Sequence, residues 1–242
     1  MNKKRPVAVV TGGSRNIGWA VVRRFSASHE VVIGDLQPPA EDLPKGISWV
    51  ATDVTDFAQC QNLMAEAEEL GAVAAIIHSA AVTVPARPIT EITPAEWRRV
   101  IDVNLNGSFN VACAGVPALL RSSGSAVFIS SRAARVGYAA LNPSAAGTKP
   151  HYCASKAGVI SLVRSLATEF AGQGVRVNCV APGSIEGEMI PRERWPEVAA
   201  RIPLGRLGHP EEIAQACLFL CSPSASYITG HVLDINGGTW MN

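Results

Sequence analysis

Seven short apolar runs recur along the chain, at residues 7–10, 31–33, 47–50, 73–77, 126–129, 175–180 and 231–235. They are continuous rather than alternating and rich in β-branched residues, so they predict strands buried on both faces, as in a parallel sheet covered by helices. The segments between most of them are long enough for crossover helices. One helix is announced by Thr93-Pro94-Ala95-Glu96, with an N-cap threonine, a proline at the first helical position and a glutamate placed for a capping box. A second begins near Pro210-Glu211-Glu212. Strands alternating with helices predict a doubly wound α/β layout.

Composition narrows this picture. A length of 242 residues allows one large α/β domain or two small ones, and no repeat, low-complexity tract or linker divides the chain, so a single domain over 1–242 is expected. The formal net charge of +1 leaves no global attraction for nucleic acid or anionic lipid. Charged residues are only 17%, against roughly 25% in an ordinary soluble domain, and mean hydropathy is +0.17. Surface hidden in an oligomer accounts for both. The six cysteines contain no CxxC pair and sit mostly in apolar runs, the pattern of small core residues in a reducing, cytoplasmic setting. The basic start, Met1 to Arg5, precedes an apolar run too short for a signal peptide, and no run reaches bilayer-spanning length. Five scattered histidines without an HExxH predict no catalytic metal.

The first strand runs straight into Thr11-Gly12-Gly13-Ser14-Arg15-Asn16-Ile17-Gly18, after which Ile17, Val21 and Phe25 share a helical face. A glycine-rich turn at a helix N-terminus lets the backbone approach a pyrophosphate, whose charge meets free N–H groups and the positive helix end. Ordinary strand-to-helix turns also need glycine, so context decides. The second strand ends in Asp35, followed by Leu36, and Asp35 lies 23 positions after Gly12, close to the separation expected of a carboxylate that binds an adenosine ribose. That carboxylate would repel a 2′-phosphate and favours NAD over NADP. Arg15 argues the other way, since its guanidinium could pair with the phosphate. Asp35 weighs more, because it would lie directly against the ribose.

Tyr152-Cys153-Ala154-Ser155-Lys156 puts a phenol and an ammonium one helical turn apart on one face. Removing hydride from an alcohol carbon requires loss of the hydroxyl proton, and the reverse reaction requires an acid. A free tyrosine titrates at about 10, so a nearby cation is needed to stabilise the phenolate. Lys156 is that cation. Upstream, Ser130-Ser131 closes the fifth strand, and Asn104 begins Asn104-Leu105-Asn106-Gly107.

Together these residues resemble the short-chain dehydrogenase/reductase family over nearly the whole chain. The resemblance implies a single-domain Rossmann-type fold and an NAD(P)-dependent oxidoreductase interconverting a secondary alcohol and a ketone. In that reading Tyr152 is the general acid and base, Lys156 also binds the nicotinamide ribose, and Ser131 polarises the substrate oxygen. Asn104 supports a water that connects Lys156 to solvent. Ser131 is chosen over Ser130 as the residue nearer the loop. Asp53-Val54 resembles the pair that holds adenine, and Pro182-Gly183-Ser184-Ile185 the turn beside nicotinamide, with Ile185 offering backbone groups to the carboxamide.

Several positions depart from the family pattern. Asn16 replaces the middle glycine of the loop, and asparagine best tolerates the left-handed backbone needed there. His78-Ser79-Ala80-Ala81 stands in place of Asn-Asn-Ala-Gly, so cofactor contacts of Ser79, Ala80 and Ala81 rest on backbone geometry. Gly187 replaces a cofactor-binding threonine. An insert at 138–150 either walls the substrate pocket or loops out, and His151 is a pocket-rim residue at best. The mixed segment 186–206 reads as a loop over the substrate.

The substrate is a small alcohol or ketone of unassigned identity. A 3-oxoacyl-carrier-protein reductase is the alternative within the class, opposed by Asp35 and by the lack of a basic patch. A non-catalytic dinucleotide sensor or scaffold is the alternative outside it, which any turnover would exclude. Ala154, Ala157, Gly158, Ser161 and Ser165 on the Tyr152 helix allow close approach of a neighbour, and the resemblance implies a homotetramer.

Overall fold

All seven apolar runs form strands in the computed structural model, which describes residues 4–137 and 147–241. In chain order the elements are β1 (Val7–Thr11), α1 (Asn16–Phe25), β2 (Glu30–Asp35), β3 (Ile47–Ala51), α2 (Phe57–Leu70) and β4 (Val73–His78). They continue with α3 (Pro94–Ile101), α4 (Gly107–Ser122), β5 (Ser125–Ile129), α5 (Ala133–Val136) and α6 (Pro150–Phe170). The last are β6 (Arg176–Pro182), α7 (Trp195–Ala199), α8 (Pro210–Cys221) and β7 (Val232–Ile235). A single π-helical turn, Asp102–Asn106, joins α3 to α4.

The strands make one parallel sheet in the order β3-β2-β1-β4-β5-β6-β7. This is the single-domain, Rossmann-type doubly wound fold expected. Along β1, Val7 and Val9 face the layer of α2, α4 and α6, whereas Ala8 and Val10 face α1 and α8, and all four are fully buried. Burial on both faces is why the run is continuous rather than alternating. The strand order reverses between β1 and β4, so a crevice opens at the carboxyl ends of those strands. The loops after β1, β4, β5 and β6 meet there.

The helix expected at Thr93 starts there, with Thr93 Oγ1 accepting the Glu96 N–H at 3.1 Å. Glu96, however, faces the guanidinium of Arg87 and the ring of His151, each at 3.3 Å, instead of closing a capping box. The back-bond of that motif is found on α8, where Glu212 Oε2 accepts the His209 N–H at 2.8 Å. Of the insert at 138–150, residues 138–146 lie outside the described residues, and Thr148 forms an antiparallel bridge with Arg87. No helix among the described residues is long and apolar enough to cross a membrane.

Candidate active site

The turn after β1 is built by close backbone approach. Gly12 has φ +65°, and a Cβ there would lie 2.5 Å from the Ala80 nitrogen. A Cβ on Gly18 would lie 1.9 Å from the Gly12 carbonyl oxygen. Asn16 adopts φ +47°, the left-handed conformation expected of it. The first N–H of α1 with a helical backbone partner is that of Trp19, so the N–H groups of Asn16, Ile17 and Gly18 have none among the described residues. They form a ready anion site.

At the end of β2, Asp35 Oδ2 accepts the Ser14 N–H at 3.1 Å, which leaves the second carboxylate oxygen open to a ligand. Its backbone is fixed as well: the Asp35 carbonyl accepts from Trp49 Nε1 at 3.2 Å and from the Thr52 N–H at 3.0 Å. Leu36 next to it is exposed. Asp53 Oδ1 accepts the N–H and the hydroxyl of Thr55 at 2.9 and 2.8 Å, while Val54 is buried. The Ser79 N–H donates to the Thr11 carbonyl at 3.0 Å and draws the loop after β4 against β1. His78 is wholly buried and its Nδ1 bonds the Thr11 hydroxyl at 2.7 Å. Burial, with the Lys156 cation nearby, pushes its pKa down to about 3, so the imidazole is neutral.

The two serines after β5 part company. Ser130 Oγ donates to the Lys156 carbonyl at 2.8 Å and serves the backbone of α6. Ser131, the residue selected from sequence, accepts the Ala133 N–H on its Oγ at 3.1 Å and stands near half-buried Tyr152; burial pushes the Tyr152 pKa up, and the Ser131 hydroxyl partly offsets that rise. Lys156 is buried, its Nζ donating to the Ile129 carbonyl at 2.8 Å and standing 6.0 Å from the Tyr152 ring centre. Burial pulls its pKa down to about 8. Asn104 is fully buried in the π turn: Oδ1 accepts the Val82 N–H at 2.8 Å, and Nδ2 donates to the Val82 carbonyl at 3.0 Å and to Ser155 Oγ at 3.1 Å. Its side chain thus ties the loop after β4 to α6.

His151 is not at the pocket rim. It is fully buried, its Nδ1 accepts the Tyr152 N–H at 2.9 Å, and its Nε2 faces Glu96. Gly158 also departs from expectation, turned inward against Leu105, whereas Ala154, Ala157, Ser161 and Ser165 remain on the exposed face of α6.

After β6, a Cβ on Gly183 would lie 2.7 Å from the Asn236 Cα. Ile185 bridges Gly208 in parallel, but the hydrogen bonds run from the Glu186 N–H to the Gly208 carbonyl and from the Gly208 N–H to the Ser184 carbonyl. The N–H and carbonyl of Ile185 point to the other side, as alternation requires. Two residues on, Gly187 lies against the loop after β1: a Cβ there would sit 1.9 Å from Asn16 Nδ2. Glu188 approaches Arg15 at 3.9 Å, both exposed.

These groups share one cavity of about 1320 Å³. Every site residue expected from sequence lines it except Ser14, which acts through its N–H, and Asn104, which lies behind the wall. Met189, Ile190 and Pro191, with Val198 on α7, add an apolar part to its lining. Arg132, Lys149 and Thr83 also line it, and no motif singled them out. A nicotinamide dinucleotide fits these donors: free helix N–H groups for a pyrophosphate, an open carboxylate oxygen for a ribose, and the Ile185 backbone for a carboxamide.

A family model described as enoyl-(acyl carrier protein) reductase matches residues 12–239. The chain is 39% identical to cis-4-hydroxycyclohexanecarboxylate dehydrogenase of Sinomonas cyclohexanicum, over 96% of this chain and 95% of that protein. It is 37% identical to a 3-oxoacyl-[acyl-carrier-protein] reductase of Thermotoga maritima, over 98% and 99%. The crystal structure of gox2181 superposes with a TM-score of 0.85 at 30% identity, covering 98% of this chain and 96% of that one.

Proposed function

The chain belongs to the short-chain dehydrogenase/reductase family of nicotinamide-dependent oxidoreductases acting on CH–OH groups, and we propose that it interconverts a secondary alcohol and a ketone with NAD preferred. The observation that carries this reading is that Ser131, Tyr152 and buried Lys156 line one cavity together with the glycine loop and Asp35. When bound, the nicotinamide supplies the hydride acceptor for oxidation and the donor for reduction.

Ser131 holds and polarises the substrate oxygen. Tyr152 takes the hydroxyl proton in oxidation and returns it in reduction. The Lys156 ammonium stabilises the phenolate that forms, and two of its three donors remain for ribose hydroxyls and water once Ile129 has taken one. Asn104 keeps the loop after β4 and α6 in register, and we retain for it the support of a water leading from Lys156 to solvent. The segment 186–206 serves as the substrate loop.

NAD preference rests on Asp35, whose open oxygen suits ribose hydroxyls and repels a 2′-phosphate. Arg15 speaks for NADP, but it is exposed and turned to Glu188. The name of the Sinomonas relative favours a cyclic secondary alcohol, and that of the Thermotoga relative a 3-oxoacyl substrate. The exposed small face of α6 and the low charged fraction support a homotetramer, and six free thiols support a reducing, cytoplasmic setting. Light scattering that returns a monomer mass would remove the tetramer.

The test of the whole reading is absorbance of NADH and NADPH, followed separately against ketones, aldehydes and sugars. Tyr152→Phe should lower turnover at least about a hundredfold. Near-wild-type activity in that variant overturns the role of Tyr152, and no turnover of any substrate leaves the non-catalytic sensor.

A further inference from the structure

Arg132 follows Ser131 directly and is only 6% exposed. Its guanidinium makes no hydrogen bond or ion pair with any described residue, and Nη1 is wholly buried without a partner. Arginine cannot shed its proton to escape burial. A buried charge with no counter-charge among the described residues is costly to keep, and its place in a ligand cavity makes it an anchor for an anionic ligand.

The surroundings point the same way. Arg132 lines the cavity together with Ser131 and Tyr152. Lys149, three residues before Tyr152 and thus about one turn away, lines it too, its Nζ donating to Thr83 Oγ1 at 3.2 Å. Both cations lie within electrostatic reach of Cys153 in the first turn of α6. The acidic residues that line the cavity are committed elsewhere. Asp35 and Asp53 belong to the end under the glycine loop, Glu188 faces Arg15, Glu197 pairs with Arg194 and Arg201, and Asp102 accepts from Asn106.

We propose that the substrate is an anion: a secondary alcohol or ketone bearing a carboxylate that Arg132 and Lys149 hold while its hydroxyl or ketone oxygen faces Tyr152. This rests on the oxidoreductase reading above and names its substrate class. A guanidinium matches a carboxylate in a bidentate geometry, and the bond is charge-assisted. A neutral polyol would leave Arg132 without a counter-charge.

The test uses two matched pairs: 4-oxocyclohexanecarboxylate with its carboxamide, and 4-oxopentanoate with 4-oxopentanamide. Binding to the intact protein in the presence of NAD is read by calorimetry, and reduction is read with NADH. At least one acid should bind about tenfold or more tighter than its amide. That preference should fall about tenfold in Arg132→Gln and in Lys149→Gln, and return in part in Arg132→Lys. The ligand-free melting temperature of Arg132→Gln should be equal to or above that of the parent, since an unpaired buried charge is removed; a purely structural arginine would lower it. Equal binding of acid and amide in both pairs, no binding by either acid, or a preference intact in both glutamine variants overturns the proposal. A preference for the acid without reduction of any ketone would instead overturn the oxidoreductase reading and leave the anion site standing.

Discussion

Lys156 is the residue in which fold and chemistry pull hardest against each other. Burial brings its pKa down to about 8, and in the unfolded chain it returns to the ordinary 10.5. Between those values the unfolded chain holds a proton that the folded one has released, so stability rises with pH across that window, and below pH 8 the buried charge weighs fully on the fold. Lys156→Met has no such charge. The parent should therefore gain on this variant by about 2 kcal/mol between about pH 7 and pH 9.5, as read from paired denaturant titrations; a pH-independent gap contradicts it. Asn16 and Gly187 are a second pair of coupled residues. One replaces a glycine and the other a threonine of the family pattern, and they touch, with a Cβ at 187 only 1.9 Å from Asn16 Nδ2. Gly187→Thr should weaken NAD binding about tenfold through overpacking. Asn16→Gly in the same chain should recover part of the loss, leaving the strain of the +148° φ at 187. Strict additivity of the two changes would show that the contact carries no coupling.

At the scale of elements, the site hangs on the passage from α3 through the π turn into α4. Asn104 at its centre satisfies the Val82 N–H and carbonyl and bonds Ser155 on α6. Asn104→Ala leaves those groups unpaired, which should cost about 2–4 kcal/mol and lower the melting temperature by roughly 5–10 °C. Turnover should fall with it, because α6 carries both Tyr152 and Lys156. A variant as stable and as active as the parent would refute the clamp. The sheet was legible in the sequence, since strands buried on both faces must be written as continuous apolar runs, and β1 to β7 all were. So was the left-handed Asn16, because it answers to a constraint local to its turn. The π turn was not, because Asp102 to Asn106 carry the polarity of an ordinary helix. Glu96 and His151 were misplaced for another reason: their partners lie 55 residues apart in the chain. Arg132 looked like any basic residue in a loop, because an unpaired burial leaves no mark in sequence.

The whole molecule joins these parts through one cavity, lined both by the glycine loop and Asp35 and by Arg132, Lys149 and Tyr152. The segment proposed as the substrate loop touches the glycine loop at two consecutive positions, Gly187 on Asn16 and Glu188 on Arg15. On the proposed reading, a dinucleotide held by the glycine loop bears directly on that segment. A net charge of +1 supplies no general pull on a charged cofactor, so on the proposed reading the choice between NAD and NADP falls to Asp35 against Arg15. Binding to the folded state alone raises stability, by about 3 kcal/mol at a hundred times Kd, or roughly 5–10 °C for a chain of this size. NAD should give a shift of that order, and NADP at equal concentration a smaller one. Asp35→Ala should reduce the NAD shift and enlarge the NADP shift, because the carboxylate that receives ribose hydroxyls is the same one that repels a phosphate. Adding Arg15→Ala should then withdraw what NADP gained, if the guanidinium swings from Glu188 to the phosphate. Equal shifts from the two cofactors in the parent would deny Asp35 this part, whatever the substrate proves to be.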